Sequence, residues 1–270
     1  GGRLTLHVRE AGFEPKVLVR KTSNTDSLDA MGVEQVIGDF ESGAGLERAL
    51  EDVDAVVHCA GGGRARRAAE LFTNNTQSTE ALLDAIERVK PSLARLVLVS
   101  SLAAQGPTAH ASTSGVLDSR QPVSNYGQSK AWAEDIVLAV KDRLAVTVLR
   151  PPAIYGPGDV RLLPLFKAVN RGFVVVPANI HQTAVIHVDD CCQAIVAVLS
   201  RNHPSGRTYA LSDGESYTTA ELIGSMAEAL GQDKVRVFPV PGGLVRLYSG
   251  FSEMWNAFTH GSSYLTRDKA

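Results

Sequence analysis

The chain has 270 residues, 44% hydrophobic and 21% charged, enough apolar material for one large domain or a domain with a smaller lobe. A net charge of −2 gives no basic excess of the kind that binds nucleic acid or an anionic membrane, and no apolar run approaches the roughly 18 residues that a membrane span needs. The three cysteines, Cys59, Cys191 and Cys192, lack Cys-x-x-Cys spacing and the seven histidines form no ligand-like cluster, so neither a disulfide framework nor a metal site is expected. This usage fits a reducing cytosol, and a cytoplasmic protein is expected.

In chain order, residues 2–11 read as a helix stopped by Gly12, and Lys16 to Arg20 as a short strand. Val33 to Ile37 is a second strand, followed by Gly38-Asp39-Phe40, and Leu46 to Leu50 a short helix. Asp54 to Ala60 is a buried strand running into glycines 61 to 63. Arg64, Arg66 and Arg67 read as a solvated loop or helix start. Ala68 to Val89 reads as one long helix, Leu96 to Ser100 as a strand, Gly106 to Val123 as loop, Ser129 to Leu144 as helix and Val146 to Leu149 as strand. Strands alternating with helices predict an α/β fold with a doubly wound parallel sheet. Beyond Arg150 the pattern loosens. Pro151, Pro152, Gly156, Pro157 and Gly158 mark an irregular loop, Asp189 or Asp190 caps a helix to about Leu199, Tyr209 to Leu211 is a short strand, Thr218 to Leu230 is a helix, and Val235 to Val237 is strand-like. The expected division is a dinucleotide-binding domain over 1–150, which also receives the helix at 189–200, and a smaller C-terminal substrate lobe from 151–188 and 201–270. A doubly wound nucleotide fold places a strand and a glycine-rich turn before its first helix. Here Gly1-Gly2 leads straight into that helix, so the first strand is expected to be missing and the sequence to be cut at both ends.

The chemistry concentrates in Tyr126-Gly127-Gln128-Ser129-Lys130, with Ser101 upstream at the end of an apolar strand. Four residues apart, Tyr126 and Lys130 share one helix face. An ammonium beside the phenol favours the phenolate and is expected to lower the tyrosine pKa. A serine hydroxyl on the neighbouring strand end can orient a substrate oxygen. The three predict a proton-transfer site for oxidising an alcohol or reducing a carbonyl.

These motifs resemble the extended short-chain dehydrogenase/reductases, the NAD-dependent epimerase/dehydratase group, nearest the 3β-hydroxysteroid dehydrogenase and dihydroflavonol reductase branch. Gly1 is similar to the third glycine of the family's phosphate turn. Gly38-Asp39-Phe40 resembles its Gly-Asp-Leu beside the adenine, His58-Cys59-Ala60-Gly61 the strand end over the cofactor, and Asn75 with Thr79 and Leu82-Leu83 its Asn-x-x-x-Thr-x-x-Leu-Leu helix. Ser100-Ser101, then Tyr126 and Lys130, resemble the catalytic set. Leu149 to Pro157 resembles the loop beside the nicotinamide, and Ile186 to Asp190 the family's Val-His-Val-Asp-Asp. The resemblance implies Ser101, Tyr126 and Lys130 as catalytic residues. It implies cofactor contacts from Gly1, Arg20, Asp39, Phe40, Cys59, Ala60, Gly61, Asn75, Ser100, Tyr126, Lys130, Pro151, Ala153 and Ile154, and two subunits pairing through helices as a homodimer.

The second strand ends Arg20-Lys21-Thr22-Ser23 without an acid for a ribose 2′-hydroxyl, which favours NADP over NAD; the other reading stacks Arg20 on adenine with NAD bound. Three readings of the substrate stand. An alcohol/ketone oxidoreductase acting on a small-molecule, moderately apolar substrate is favoured by the apolar run of the C-terminal part: Leu162, Leu163, Leu165, Phe166, Phe173 and Val174 to Val176, then 244–258. A nucleotide-sugar epimerase would use Arg161 and Arg171 on a diphosphate, although both suit solvated surface positions. A non-catalytic dinucleotide binder would lack the Tyr/Lys pair. Ser101-Leu102-Ala103 stands where a dehydratase of this family has Thr-Asp-Glu. His187 is read as a structural histidine, Asp189 as a helix cap, and Trp132 as a helix–helix contact.

Overall fold

Ten strands and nine α-helices alternate through the residues that the computed structural model describes, 1–63, 65–89, 93–107, 120–177 and 182–240. Arg64, most of the 106–123 loop and the apolar run beyond Val240 lie outside them. The first half comprises α1 (Gly2–Glu10), β1 (Lys16–Val19), α2 (Asp26–Met31), β2 (Glu34–Ile37), α3 (Leu46–Leu50), β3 (Ala55–His58), α4 (Ala68–Phe72), α5 (Ser78–Val89), β4 (Arg95–Val99) and α6 (Asn125–Ala139). There follow β5 (Val146–Arg150), β6 (Ala153–Tyr155), α7 (Leu163–Asn170), β7 (Phe173–Pro177), β8 (Val185–His187), α8 (Val188–Ser200), β9 (Arg207–Ala210), α9 (Thr219–Ala229) and β10 (Arg236–Val240).

All pairs between these strands are parallel. The central sheet has the order β3-β4-β5-β9, and β1-β2 forms a separate two-stranded piece. Side chains alternate across the central strands because the pleat has a period of two. Leu96, Leu98, Val146 and Val148 face α3, α5 and α6 through Leu46, Leu83, Ile86 and Val137, whereas Val97 and Leu149 face α8 through Ile195 and Val198, with Leu4 of α1 against them. Helices thus cover both faces, which is what makes near-continuous apolar strands stable in water. This is the doubly wound α/β arrangement read from the sequence. A third apolar cluster, Val169, Val174, Ile223 and Ala227, lies apart under α7, β7 and α9.

The structure differs from the sequence reading at several places. The helix over 68–89 is interrupted by a π turn at Thr73–Gln77. The helix read over 129–144 starts at Asn125 and ends at Ala139, with Tyr126 in its first turn as its shared face with Lys130 requires, because the Ser124 hydroxyl accepts from the Gly127 amide at 3.0 Å and caps it. The stretch 151–158 includes β6, paired with β8. Strand β9, expected in the lobe, pairs with β5 at the edge of the central sheet. The cap of α8 is His187, whose Nδ1 accepts from the Asp189 amide at 3.3 Å, and Asp189 lies in the first turn instead. The cap of α9 is Thr218, which forms a reciprocal capping box with Glu221.

Candidate active site

Five parallel strands end on the residues that the sequence marks. Arg20 follows β1, Asp39 and Phe40 follow β2, Cys59 to Gly61 follow β3, Ser100 and Ser101 follow β4, and Pro151 to Ile154 follow β5. The carboxyl ends of a doubly wound sheet are where such folds bind ligands.

Ser101 caps the short 3₁₀ turn Leu102–Ala104, its Oγ accepting from the Ala103 amide at 3.2 Å. Helix α6 crosses this turn closely: a Cβ on Gly127 would stand 2.3 Å from the Ala103 carbonyl oxygen, so only glycine fits beside Tyr126. That approach sets Tyr126 close enough to Ser101 for the serine hydroxyl to act on the phenol. One turn on, Lys130 is 5% exposed and donates from Nζ to the Val99 carbonyl at 3.1 Å. The structure therefore brings Ser101, Tyr126 and Lys130 together.

The electrostatics differ from the expectation. Burial pushes the Tyr126 phenol above its ordinary range. The opposing influences are the Ser101 hydrogen bond and the charge of Arg161, not that of Lys130. Lys130 is itself pulled down to about 8 by burial, with Cys59 and Glu134 acting the other way. Its ammonium is committed to a main-chain carbonyl rather than to the phenol. Nearby His58, buried at the end of β3 with Nε2 3.1 Å from Thr79 Oγ1, is pulled down to about 3 by burial and the Lys130 charge, and stays neutral.

Around this centre, α1 follows Gly1 and carries no acid in its first turn. A helix N-terminus of this kind suits a phosphate, so these residues fit a dinucleotide. Arg20 and Lys21 are exposed. The Asp39 carboxylate is turned into its own loop, accepting from Glu41 N at 3.3 Å, Ser42 N at 3.2 Å and Ser42 Oγ at 3.0 Å, which holds its pKa below the usual range. Phe40 packs edge-on against His58, with ring centroids 5.4 Å apart. Asn75, in the π turn and 1% exposed, accepts from Gly62 N at 2.9 Å and donates to Gly62 O at 3.2 Å and Ser129 Oγ at 3.0 Å. It clamps the loop after β3 to α6. Gly61 must be glycine there, with φ +98° and a Cβ that would meet Asn75 Oδ1 at 2.2 Å. Cys59, Gly61 and Ala153 are exposed and Pro151 is buried.

Sequence reasoning missed the polar groups beneath the site. Glu134, another turn along α6, is fully buried. Its Oε1 accepts from Ser100 Oγ at 2.5 Å and Arg150 Nε at 2.9 Å, and its Oε2 from Arg150 Nη2 at 2.7 Å and Arg120 Nη1 at 3.0 Å. Spacing held the signal, since Tyr126, Lys130 and Glu134 recur every four residues on one helix face. Asp189, read as a helix cap, instead binds Arg3 Nε at 2.9 Å and Nη2 at 2.5 and 2.6 Å, and His7 Nε2 at 2.9 Å, pinning α1 to α8. Those contacts hold Asp189 near 2. Trp132 does make a helix–helix contact, its ring 4.8 Å from that of Phe72 on α4.

The doubly wound parallel sheet is that of the Rossmann-like oxidoreductases and epimerases of the extended short-chain dehydrogenase type. The chain belongs to the NAD dependent epimerase/dehydratase family, whose model matches residues 1–212. Among relatives, it is 30% identical over 273 residues to the ceramide reductase of Caulobacter vibrioides, covering 100% of this chain and 79% of that protein. It is 28% identical over 254 residues to the 4-hydroxy-2-methyl-3-oxo-4-farnesyl-3,4-dihydroquinoline-1-oxide ketoreductase of Stigmatella aurantiaca, covering 91% and 75%. The UDP-glucose 4-epimerase of Thermus thermophilus, solved in complex with NAD, shares the fold with a TM-score of 0.76 at 22% identity, covering 89% of this chain and 83% of that one. No helix among the described residues is long and apolar enough to cross a membrane.

Proposed function

We propose that this protein is an NADP-preferring oxidoreductase that interconverts a ketone and a secondary alcohol on a substrate with a long apolar part. The carrying observation is the close crossing of α6 over the turn that Ser101 caps, which sets Tyr126 beside Ser101 with Lys130 one helical turn away. When bound, the dinucleotide supplies or accepts hydride. Tyr126 donates the proton to the carbonyl oxygen in reduction and removes it in oxidation; a phenol kept protonated by burial is suited to the first. Ser101 orients the same oxygen. Lys130 keeps a positive charge beneath the site and ties α6 to the strand that presents both serines.

NADP is favoured because the Arg20 guanidinium and Lys21 stand exposed after β1 while the nearby Asp39 is engaged by its own loop. The apolar substrate is supported by exposed Val160 and Leu163 on either side of Arg161, whose charge reaches Tyr126, and by the names of the two reductase relatives. Among the described residues, 151–177, 182–188 and those from 201 to 240, apart from β9, are assigned to the proposed substrate lobe, which has its own apolar core under α7, β7 and α9. A sugar-nucleotide epimerase is favoured by one observation, the exposed guanidinium of Arg161, which is paired with Asp159 at 3.4 Å and whose charge reaches Tyr126.

The test is fluorescence titration with NADPH and NADH, followed by turnover of NADPH with ketones of graded alkyl length and, separately, of UDP-glucose without net cofactor oxidation. Tyr126→Phe should abolish ketone reduction while leaving NADPH affinity within about twofold. Near-normal turnover in that variant, or sugar epimerisation by the wild type, would overturn the reading.

A further inference from the structure

We propose that Glu134 is the positioning residue of this site: its enclosed carboxylate joins the catalytic helix to the strand end that presents Ser101 and to the strand end from which the Pro151–Ile154 wall departs. The inference rests on the Ser101–Tyr126–Lys130 reading above.

Glu134 lies on the same face of α6 as Tyr126 and Lys130 and has no exposed surface. Four donors from three other parts of the chain converge on its two oxygens. Ser100 brings the end of β4, Arg150 the end of β5, and Arg120 the segment leading into α6. Arg150 extends the link by donating from Nη1 to Gln105 Oε1 at 2.9 Å, just past the turn that Ser101 caps. Arg120 is also held by the Ala131 carbonyl at 2.8 Å and by Asp135, so the two guanidiniums face two carboxylates and the cluster is balanced in charge.

Stability alone is a poor reason for such a cluster. A buried ion pair gains little over apolar side chains of equal volume, because desolvation consumes most of the attraction. An apolar replacement cannot bind the Ser100 hydroxyl and two strand ends to one point. The Ser100 hydroxyl, expected to serve the cofactor, is 2.5 Å from Glu134 and 4% exposed. Its place in the structure is that of a strut under Ser101, and proton transfer is sensitive to displacements of about 1 Å.

The test uses the full chain with NADPH and the ketone that the wild type reduces. It compares wild type, Tyr126→Phe, Ser100→Ala and Glu134→Gln by kcat, KM, NADPH Kd and melting temperature. Ser100→Ala, which leaves both ion pairs intact, should lower kcat about tenfold with Kd within twofold, while the lost hydrogen bond lowers the melting temperature by only a few degrees and leaves the protein fully folded at the assay temperature. Glu134→Gln should lower kcat about 100-fold. Wild-type kcat in Ser100→Ala overturns the inference, as does a loss of kcat that tracks a loss of stability or of NADPH affinity. Should Glu134→Gln fail to fold, Ser100→Ala decides alone. An active Tyr126→Phe would sink the underlying reading, whereas an inactive Tyr126→Phe beside a fully active Ser100→Ala sinks only the role of Glu134.

Discussion

Lys130→Met should leave a more stable protein with no turnover. The ammonium is 5% exposed, and burial lowers its pKa from 10.5 to about 8. At about 1.4 kcal/mol per pKa unit, holding it charged in the fold costs about 3 kcal/mol. Methionine has a similar length and no charge, but it leaves the Val99 carbonyl without its 3.1 Å donor, a loss of about 1 kcal/mol. The net gain is about 2 kcal/mol at pH 7, or several degrees in melting temperature at roughly 2–4 °C per kcal/mol. The native pKa lies below the unfolded one, so the unfolded chain holds more protons between about pH 8 and 10.5. Wild-type stability therefore rises with pH across that window, and the variant's advantage shrinks there. Urea unfolding of both proteins at pH 7 and pH 9.5 measures it. An advantage of equal size at the two pH values, or a variant less stable at pH 7, would refute a depressed Lys130.

His58 should shape the acid side of the stability curve. Its ring is neutral in the fold, with the pKa lowered from 6.5 to about 3, and takes up a proton on unfolding, so stability falls as pH drops from about 6.5 towards 3. His58→Leu, compared by urea midpoints at pH 4.5 and 7, should flatten that slope while losing about 1 kcal/mol at pH 7 with the Thr79 contact; an unchanged slope counts against it. Gly127→Ala should destabilise by about 1–3 kcal/mol, because the added methyl meets the Ala103 carbonyl rather than a movable side chain, and should depress turnover further by separating Tyr126 from Ser101; wild-type melting behaviour would contradict the close crossing. Arg20→Glu should weaken NADPH at least tenfold more than NADH in fluorescence titrations, and equal effects would remove the case for 2′-phosphate recognition.

What was legible in the sequence follows from how each signal is written. Apolar runs such as Leu96 to Val99 announce strands covered on both faces, and the hydroxyl of Thr218 before an apolar-periodic stretch announces a helix start. The strand-end positions of Arg20, Asp39, Cys59 and Ser101 were legible for the same reason, since each directly follows such a run. The π turn was not, because Thr73 to Gln77 has no breaker; its register depends on Asn75 reaching Gly62 and Ser129, which are distant in sequence. The cap of α8 was assigned to an aspartate on propensity, whereas Arg3 and His7, more than 180 residues earlier, recruit Asp189 for another task.

Helix α6 shows why the centre of the site was read from its motif but not from its support. A helix that packs by its apolar side shows a stripe at i, i+3, i+4, and residues 125–128 lack one, which is why periodicity placed the start at Ser129. The inward face of α6 instead carries Tyr126, Lys130 and Glu134, a phenol, an ammonium and a carboxylate stacked turn upon turn from the cleft down to the buried end of β5. Each is tolerated there only because a strand end meets it: Ser101 at the phenol, the Val99 carbonyl at the ammonium, and Ser100 with Arg150 at the carboxylate. The polar stripe that weakens the helical signal in the sequence is the same feature that fixes the helix in register with β4 and β5. A one-residue shift of α6 would turn all three groups away from their partners together. The chemistry of the site and the placement of its helix therefore depend on one set of contacts, and variants along that stripe should affect turnover before they affect the apolar core behind it.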